Sequence, residues 1–244
     1  MWTRKGFTDI IALLLSNQDF YPEMKFKASQ IDFSKALLVS SKSLLLKANL
    51  PILSSILITA SKNKVEIVST NLETATKAVF NCEVEIEGKA AVPGRTLLEF
   101  VSQIPEGEIV FEKLGEEAVL TTKGYKARFA TMAAEEFPAI PKIEKGIELK
   151  VGALEFSEAV NRVAFCAAQD EGRPVLTGIL VEVAKGKASM VATDGYRLGY
   201  GEITILKEGE FNNFKIILPA RAAIEVAKIV VESGNLAEGE EKEQ

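Results

Sequence analysis

The sequence predicts an α+β fold of two similar domains in tandem, each with two helices packed on antiparallel sheet. One observation is an internal repeat: residues 50–58 (LPILSSILI) return 123 positions later as residues 173–181 (RPVLTGILV). The same shift relates residues 67–71 to residues 190–194. A second observation is that each copy contains two segments with apolar residues at helical spacing and several short segments with the composition of β-strands. The repeat units of solenoid proteins are about 20 to 50 residues long. Because this repeat is much longer, we predict that each copy is a domain with its own core.

Each copy is predicted to begin with a short strand followed by a helix. The two strands are residues 25–28 and 148–151. In the second copy, apolar residues recur at helical spacing, and Arg162 lies off that stripe. The stripe comprises Phe156, Val160, Val163, Ala164 and Ala167. Cys166 is predicted to lie on this stripe and to be a core residue.

Antiparallel strands and a second helix complete each copy. Runs rich in Ile, Leu and Val predict buried strands at residues 56–60 and 179–183, and Asn63 and Gly186 mark the hairpin turns after them. Further strands are predicted at residues 65–69, 76–86, 188–192 and 199–206, and in the first copy also at 108–113, 118–122 and 127–131. The second helices, at residues 93–104 and 219–231, open with a proline in the first turn.

The repeat also predicts domain boundaries. The first copy is assigned residues 24–146 and the second residues 147–244, with residues 1–23 as an extension that is disordered or outside a native start at Met24. The proline blocks of the second helices are 126 positions apart, so Gln244 aligns with Ala118. The second copy is therefore expected to be truncated, and its glutamate-rich end is expected to form a disordered tail.

Composition narrows the functional classes. The 244 residues include no histidine, which removes the commonest general base and metal ligand and makes an enzyme less expected. The lone cysteines, Cys82 and Cys166, predict a reducing, cytoplasmic location rather than a disulfide framework. No P-loop, GxGxxG or CxxC motif occurs, so neither cofactor nor metal is predicted. The apolar run at residues 10–15 is too short to span a membrane.

Six sequence blocks, in order, resemble the bacterial sliding clamp, the beta subunit of DNA polymerase III. They are residues 24–26 (MKF), 50–53 (LPIL), 70–73 (TNLE), 92–95 (VPGR), 137–141 (FPAIP) and 192–198 (ATDGYRL). In that family each chain has three copies of the domain, and two chains close head to tail into a ring. The resemblance implies a non-catalytic subunit that encircles duplex DNA and tethers the polymerase. With one copy and most of another, this chain is not expected to close the ring with a second chain.

The resemblance also implies where DNA is contacted. Helices of this family line the hole, so basic residues on helices and nearby loops are expected to meet phosphates without reading bases. The expected DNA contacts are Lys35, Lys47, Arg95, Arg162, Gln169, Asp170, Arg173, Pro174 and Arg221. For each of these the alternative is an ordinary solvated side chain.

A second site follows from the same resemblance. Clamps have a hydrophobic groove for a short peptide motif of the DNA polymerase III alpha subunit and of the clamp loader. The residues matching this groove are Leu176, Thr193, Gly195, Tyr196, Arg197 and Leu198. The local alternative is that Asp194 and Gly195 form a hairpin corner and nothing more.

Two other functions stay open. A carboxylate-dependent hydrolase or nuclease on a duplicated α+β scaffold predicts Asp and Glu side chains converging in one pocket. A protein-interaction module predicts only part of the partner groove. The clamp hypothesis instead predicts one concave surface for the helix faces that carry Lys35, Arg95, Arg162 and Arg221.

Overall fold

The structure is a computed structural model that describes residues 21–45, 50–141, 146–170, 172–207 and 213–240. The chain divides into two compact units, Met1–Ile140 and Pro141–Gln244. The domain boundary expected after residue 146 stays a prediction. In the described ranges, no helix is both long and apolar enough to cross a bilayer.

The first unit contains two helices and two sheets. Strand β1 (Met24–Ser29) leads into helix α1 (Gln30–Ser40), which Ser29 caps by accepting a hydrogen bond from the Ile31 amide at 3.2 Å. The other elements are β2 (Ser55–Ser61), β3 (Lys64–Thr70), β4 (Ala75–Asn81), β5 (Glu83–Ile86), β6 (Gly88–Pro93), α2 (Gly94–Gln103), β7 (Glu108–Leu114), β8 (Glu117–Thr122) and β9 (Tyr125–Ala130). The sheet orders are β5-β1-β7-β8-β9 and β4-β3-β2-β6.

The strand predicted over residues 76–86 is wrong, because it is two strands in different sheets. β4 pairs with β3, whereas β5 pairs with β1. Opposite charges favour the second pairing: Lys25 and Lys27 of β1 both form ion pairs with Glu85 of β5, at 3.1 and 2.7 Å. The sequence does not predict strand β6, and the helix predicted from Pro93 begins at Gly94, because Pro93 is the last residue of β6.

Aromatic packing fills the core of the first unit. The rings of Phe26 and Phe111 stack with centroids 5.1 Å apart, and Phe33 of α1 meets Phe26 edge to face at 5.8 Å. Helix α2 buries Leu97 and Val101 in the same core. Two polar side chains of α1 are also buried, and both are hydrogen-bonded: Gln30 donates to the Val101 carbonyl at 2.7 Å and Ser40 to the Ala36 carbonyl at 2.6 Å.

The second unit repeats part of this plan. Its elements are β10 (Lys150–Val151), α3 (Ala153–Ala164), β11 (Gly178–Ala184), β12 (Lys187–Thr193), β13 (Leu198–Lys207), β14 (Phe214–Pro219) and α4 (Ala220–Glu240). The strand order is β10-β13-β12-β11-β14. Helix α3 packs against α4 and lies over β12 and β13. The predicted hairpin turns at Asn63 and Gly186 are confirmed, each with positive φ.

Three expectations for the second unit are wrong in detail. Helix α3 ends at Ala164, so Cys166 and Ala167 are buried just beyond it rather than on it. Strand β14 was missed, because its two exposed isoleucines gave no alternating pattern. Helix α4 continues to Glu240 instead of ending at residue 231, and it includes Glu238 and Glu240 of the expected disordered tail. The extension contains no proline, and its Glu, Leu and Ala residues favour helix, whereas Gly234 and Gly239 disfavour it.

Gly199 permits the close approach of β13 to α3. A Cβ at this position would lie 3.0 Å from the Val163 Cα and 3.1 Å from the Cys166 Sγ. We therefore expect Gly199→Ala to lower the free energy of unfolding by about 1–3 kcal/mol in urea denaturation.

Gly201→Ala is the matched control on the same strand, because its Cβ would lie at least 3.4 Å from the Val163 side chain. We expect it to change the unfolding free energy by less than about 1 kcal/mol. Equal losses for the two variants would show that helix α3 is not packed so closely on β13.

Candidate functional site

The helices of the first unit carry two of the predicted basic residues. Lys35 on α1 is half-buried and Arg95 on α2 is exposed. The Arg95 Nε donates to the Glu99 Oε1 at 2.7 Å, and this hydrogen bond raises the pKa of Arg95 above its ordinary value. A phosphate approaching Arg95 would have to compete with Glu99, which makes any such contact weak and exchangeable.

The helices of the second unit repeat this mixture of charges. Arg162 on α3 and Arg221 on α4 are exposed, and so is Glu158 one helical turn before Arg162. On α4 the Lys228 Nζ donates to the Glu225 Oε1 at 2.8 Å. Acidic residues thus lie among the basic ones, and the positive field of these faces is moderate.

The loop between α3 and β11 holds four of the predicted contacts. Gln169, Asp170, Arg173 and Pro174 are all exposed. The loop has a fixed shape at its end, because the Leu176 amide donates to the Arg173 carbonyl at 2.9 Å and the Ala168 amide to the Leu176 carbonyl at 2.9 Å. Lys47 lies outside the described residues, so its role stays a prediction.

The loop of residues 193–198 is organised by one carboxylate. The Asp194 Oδ1 accepts hydrogen bonds from the Arg197 and Tyr196 amides, each at 3.0 Å, and its Oδ2 accepts from the Arg197 Nε at 2.9 Å. These donors hold the pKa of Asp194 below its ordinary value. Three hydrogen bonds already occupy this carboxylate, which argues against a role as a general base.

The predicted groove residues lie around this loop. The Thr193 hydroxyl donates to the Arg197 carbonyl at 2.7 Å and accepts from the Gly195 amide at 3.0 Å. Tyr196 and Leu198 are exposed, and Leu176 is half-buried. The exposed apolar side chains stand on a loop whose shape is fixed before any partner binds.

Phe165 is a residue of this surface that the sequence did not reveal. The Arg197 guanidinium carbon lies 5.5 Å above the centre of the Phe165 ring, and the ring is largely exposed. One signal was present: Phe165 lies off the predicted apolar stripe, between Ala164 and Ala167.

The two predicted sites adjoin each other. The Arg173 Nη1 lies 3.7 Å from the position that a Cβ on Gly195 would occupy. Gly195 itself has φ +92°, a conformation that favours glycine. The loop expected to touch DNA and the loop expected to bind a peptide are therefore neighbours within the second unit.

The described residues do not support the hydrolase alternative. No group of three or more His, Cys, Asp or Glu side chains among them is placed to hold a metal ion. A surface concavity of about 510 Å³ beside the β3 hairpin has one carboxylate, Glu83, in its lining. Cys82 also lines it, and partial burial raises the pKa of this thiol to about 11, so it is not an activated nucleophile.

Comparisons with known proteins cover both units of the chain. A family model described as the DNA polymerase III beta subunit, N-terminal domain, matches residues 24–141, and one described as the central domain matches residues 150–238. The "Beta sliding clamp" of Micrococcus luteus is 30% identical over 213 residues, which cover 87% of this chain and 68% of that protein. The chain belongs to the DNA polymerase III beta subunit family, the sliding clamps.

Solved sliding clamps share the fold. A DNA polymerase sliding clamp from Bacillus subtilis superposes with a TM-score of 0.80 at 20% identity, covering 85% of this chain and 57% of that one. A DNA polymerase III beta subunit from Thermotoga maritima gives a TM-score of 0.78 at 30% identity, covering 85% and 56%. The predicted α+β clamp fold is thus confirmed.

The chain matches only part of the length of other sliding clamps. The chain spans 48–59% of six further curated relatives, each named "Beta sliding clamp". The matched models correspond to the N-terminal and central domains of the sliding clamp family.

Proposed function

We propose that this chain acts in a DNA sliding clamp, holding duplex DNA at the helices of its units without reading the base sequence. The observation that carries the proposal is the match of both units to sliding-clamp domains. Exposed arginines at Arg162, Arg173 and Arg221 give it further support. The role is processivity: the clamp keeps the polymerase on DNA and makes no bond itself. DNA replication and a cytoplasmic location follow from this assignment.

The charge pattern supports weak, sequence-blind contact with DNA. Arg95 and Lys228 each have a glutamate partner on the same helix, so a phosphate would replace an existing ion pair rather than fill a bare site. Such exchange gives little net energy per contact and permits movement along the duplex. The helices would contribute contacts through Lys35, Arg95, Arg162 and Arg221. The loop between α3 and β11 would add contacts through Gln169, Asp170, Arg173 and Pro174.

We assign the partner-peptide groove to the surface around the 193–198 loop. Its residues are Leu176, Thr193, Gly195, Tyr196, Arg197 and Leu198, with Phe165 as a further wall. The hydrogen bonds of Asp194 hold the loop in place, which lowers the ordering cost when an extended peptide binds. The partners we propose are the DNA polymerase III alpha subunit and the clamp loader.

Fluorescence anisotropy with labelled duplex DNA tests the DNA proposal. We expect binding to oligonucleotides of unrelated sequence with similar affinity. If the chain contacts about four phosphates, raising the salt concentration from 50 to 200 mM should weaken binding about a hundredfold. Absence of binding at low salt, or binding to one sequence only, would count against the proposal.

A further inference from the structure

Two similar halves make up the first unit. In the first half, β1, α1, β2, β3 and β4 are followed by β5, which pairs with β1. In the second half, β6, α2, β7, β8 and β9 are followed by Met132, which pairs with Ala91 of β6. Strand β5 and the segment at residues 131–137 occupy equivalent places, and each leads the chain from one sheet to the other. We call them the two crossing segments.

The crossing segment after β9 is held by apolar contacts. The Met132 amide donates to the Ala91 carbonyl at 3.0 Å. The side chains of Met132 and Phe137 pack in a small apolar cluster with Ile52 and Leu53. Since Phe137 is only 8% exposed, apolar burial keeps this segment in place, and salt does not screen such contacts.

Strand β5 buries much less apolar surface. It has four residues and, among the strands that the structure describes, pairs only with β1. Of its two apolar side chains, Val84 is half-buried against the aromatic core and Ile86 is exposed. Cys82 and Glu87, which belong to no strand, flank it on either side. Apolar packing therefore contributes little to holding β5 on the sheet.

Ion pairs supply the other contacts between β5 and β1. The Lys27 Nζ lies 2.7 Å from the Glu85 Oε1 and 3.7 Å from the Glu83 Oε1. The Lys25 Nζ lies 3.1 Å from the Glu85 Oε2 and 3.3 Å from the Glu112 Oε1 of β7. The side chains of Lys25, Lys27 and Glu85 are 26–31% exposed, so dissolved ions reach these pairs.

We propose that β5 opens by itself while the rest of the first unit stays folded, and that ionic strength sets how often it opens. Raising salt from about 0.1 to about 1 M shortens the Debye length from about 10 to about 3 Å, which is comparable to the length of these ion pairs. Salt therefore weakens the contacts of β5 and spares the apolar contacts of the other crossing segment. The inference is independent of DNA binding.

Opening of β5 also changes the Cys82 thiol. Cys82 joins β4 to β5 and packs against the aromatic core, and partial burial raises its pKa to about 11. When β5 leaves the sheet this burial is lost, so the pKa falls toward its ordinary value and more of the thiol is thiolate. Alkylation of Cys82 is thus expected to follow the opening of β5.

Amide hydrogen exchange of the full chain, resolved by residue with NMR at two salt concentrations, tests the proposal. Between about 0.1 and about 1 M sodium chloride, we expect protection of the amides of residues 83–86 to fall about fivefold or more. Protection of the Met132 amide should stay within about twofold, because its segment is held by apolar contacts. This amide is an internal control for unfolding of the whole unit.

Alkylation by iodoacetamide, read by mass spectrometry, provides a second readout. The Cys82 sulfur forms a bond to carbon, iodide leaves with the electron pair of its bond, and the thiol proton passes to solvent. We expect the rate at Cys82 to rise with salt by about the same factor as the exchange of β5. Cys166, which is 2% exposed in the second unit, should stay unmodified.

The matched variants are Lys27→Gln and Arg128→Gln. Arg128 pairs with Glu117 at 3.0 Å on the opposite edge of the same sheet, so both variants remove one positive charge and its ion pairing. We expect Lys27→Gln to lower the protection of β5 about fivefold at low salt and to reduce its salt dependence, and Arg128→Gln to leave β5 within about twofold. Salt-independent protection of β5, an equal loss at Met132, or equal effects of the two variants on β5 would overturn the proposal.

Discussion

Replacing Arg162, Arg173 and Arg221 together by glutamate should weaken the binding of duplex DNA by about 100-fold or more at 50 mM salt. The three side chains are exposed on α3, α4 and the loop that joins α3 to β11. Each contact with a phosphate releases counterions, so losing three contacts also flattens the dependence of log K on log salt by about 0.9 per contact. Anisotropy titrations at several salt concentrations measure both effects.

A second triple variant, Lys123→Glu, Lys126→Glu and Lys185→Glu, separates contact from net charge. It changes the charge by the same amount at exposed positions on strands and hairpin turns. Since exposed charges farther than about 10 Å from the DNA are screened, we expect its affinity to stay within about fivefold of the unaltered chain. If the two triple variants lose affinity equally, the helices of the second unit have no special role in DNA binding.

Phe111→Ala should lower the free energy of unfolding by about 3–5 kcal/mol. The Phe111 side chain is fully buried, stacks on Phe26 and lies 6.1 Å from Phe33, centre to centre. Its removal loses the transfer energy of the ring and leaves a cavity that neighbouring side chains on sheet and helix fill poorly. Urea denaturation followed by far-UV circular dichroism and by a probe in the first unit measures the loss.

Phe165→Ala is the matched control, because the Phe165 side chain is 61% exposed and its ring lies under the Arg197 guanidinium at 5.5 Å. We expect it to cost less than about 1 kcal/mol. A small loss for Phe111→Ala would show that the three phenylalanines do not form the core of the first unit.

The parts of the fold that local pattern determines could be predicted from the sequence. The repeat gave the duplicated plan, and the stripe on α3 identified Val160 and Val163 as buried residues. The break between β4 and β5 could not be predicted, because it depends on which strand pairs with Glu85. Strand β14 was missed for a related reason: an edge strand with exposed isoleucines on both faces lacks the alternation that marks a half-buried strand.

The candidate sites were predicted by resemblance, and their arrangement came only from the structure. Arg173 and Gly195 are separated by more than 20 positions in sequence, yet the fold places the Arg173 Nη1 3.7 Å from the position that a Cβ on Gly195 would occupy. The Arg197 contact with Phe165 depends on where α3 ends, which periodicity defines only loosely. The hydrogen bonds of Asp194 correspond to the local alternative of a hairpin corner, and they support the groove by fixing the loop that carries it.

Protection of arginine and lysine side chains from chemical modification, read by mass spectrometry with and without duplex DNA, tests the central claim most directly. That claim is that duplex DNA is contacted through helices of both units. We predict protection of Lys35, Arg95, Arg162 and Arg221 by duplexes of any sequence, reversed by salt, and no protection of Lys126 on strand β9. Protection confined to sheet residues, or a pattern that changes with DNA sequence, would contradict the account.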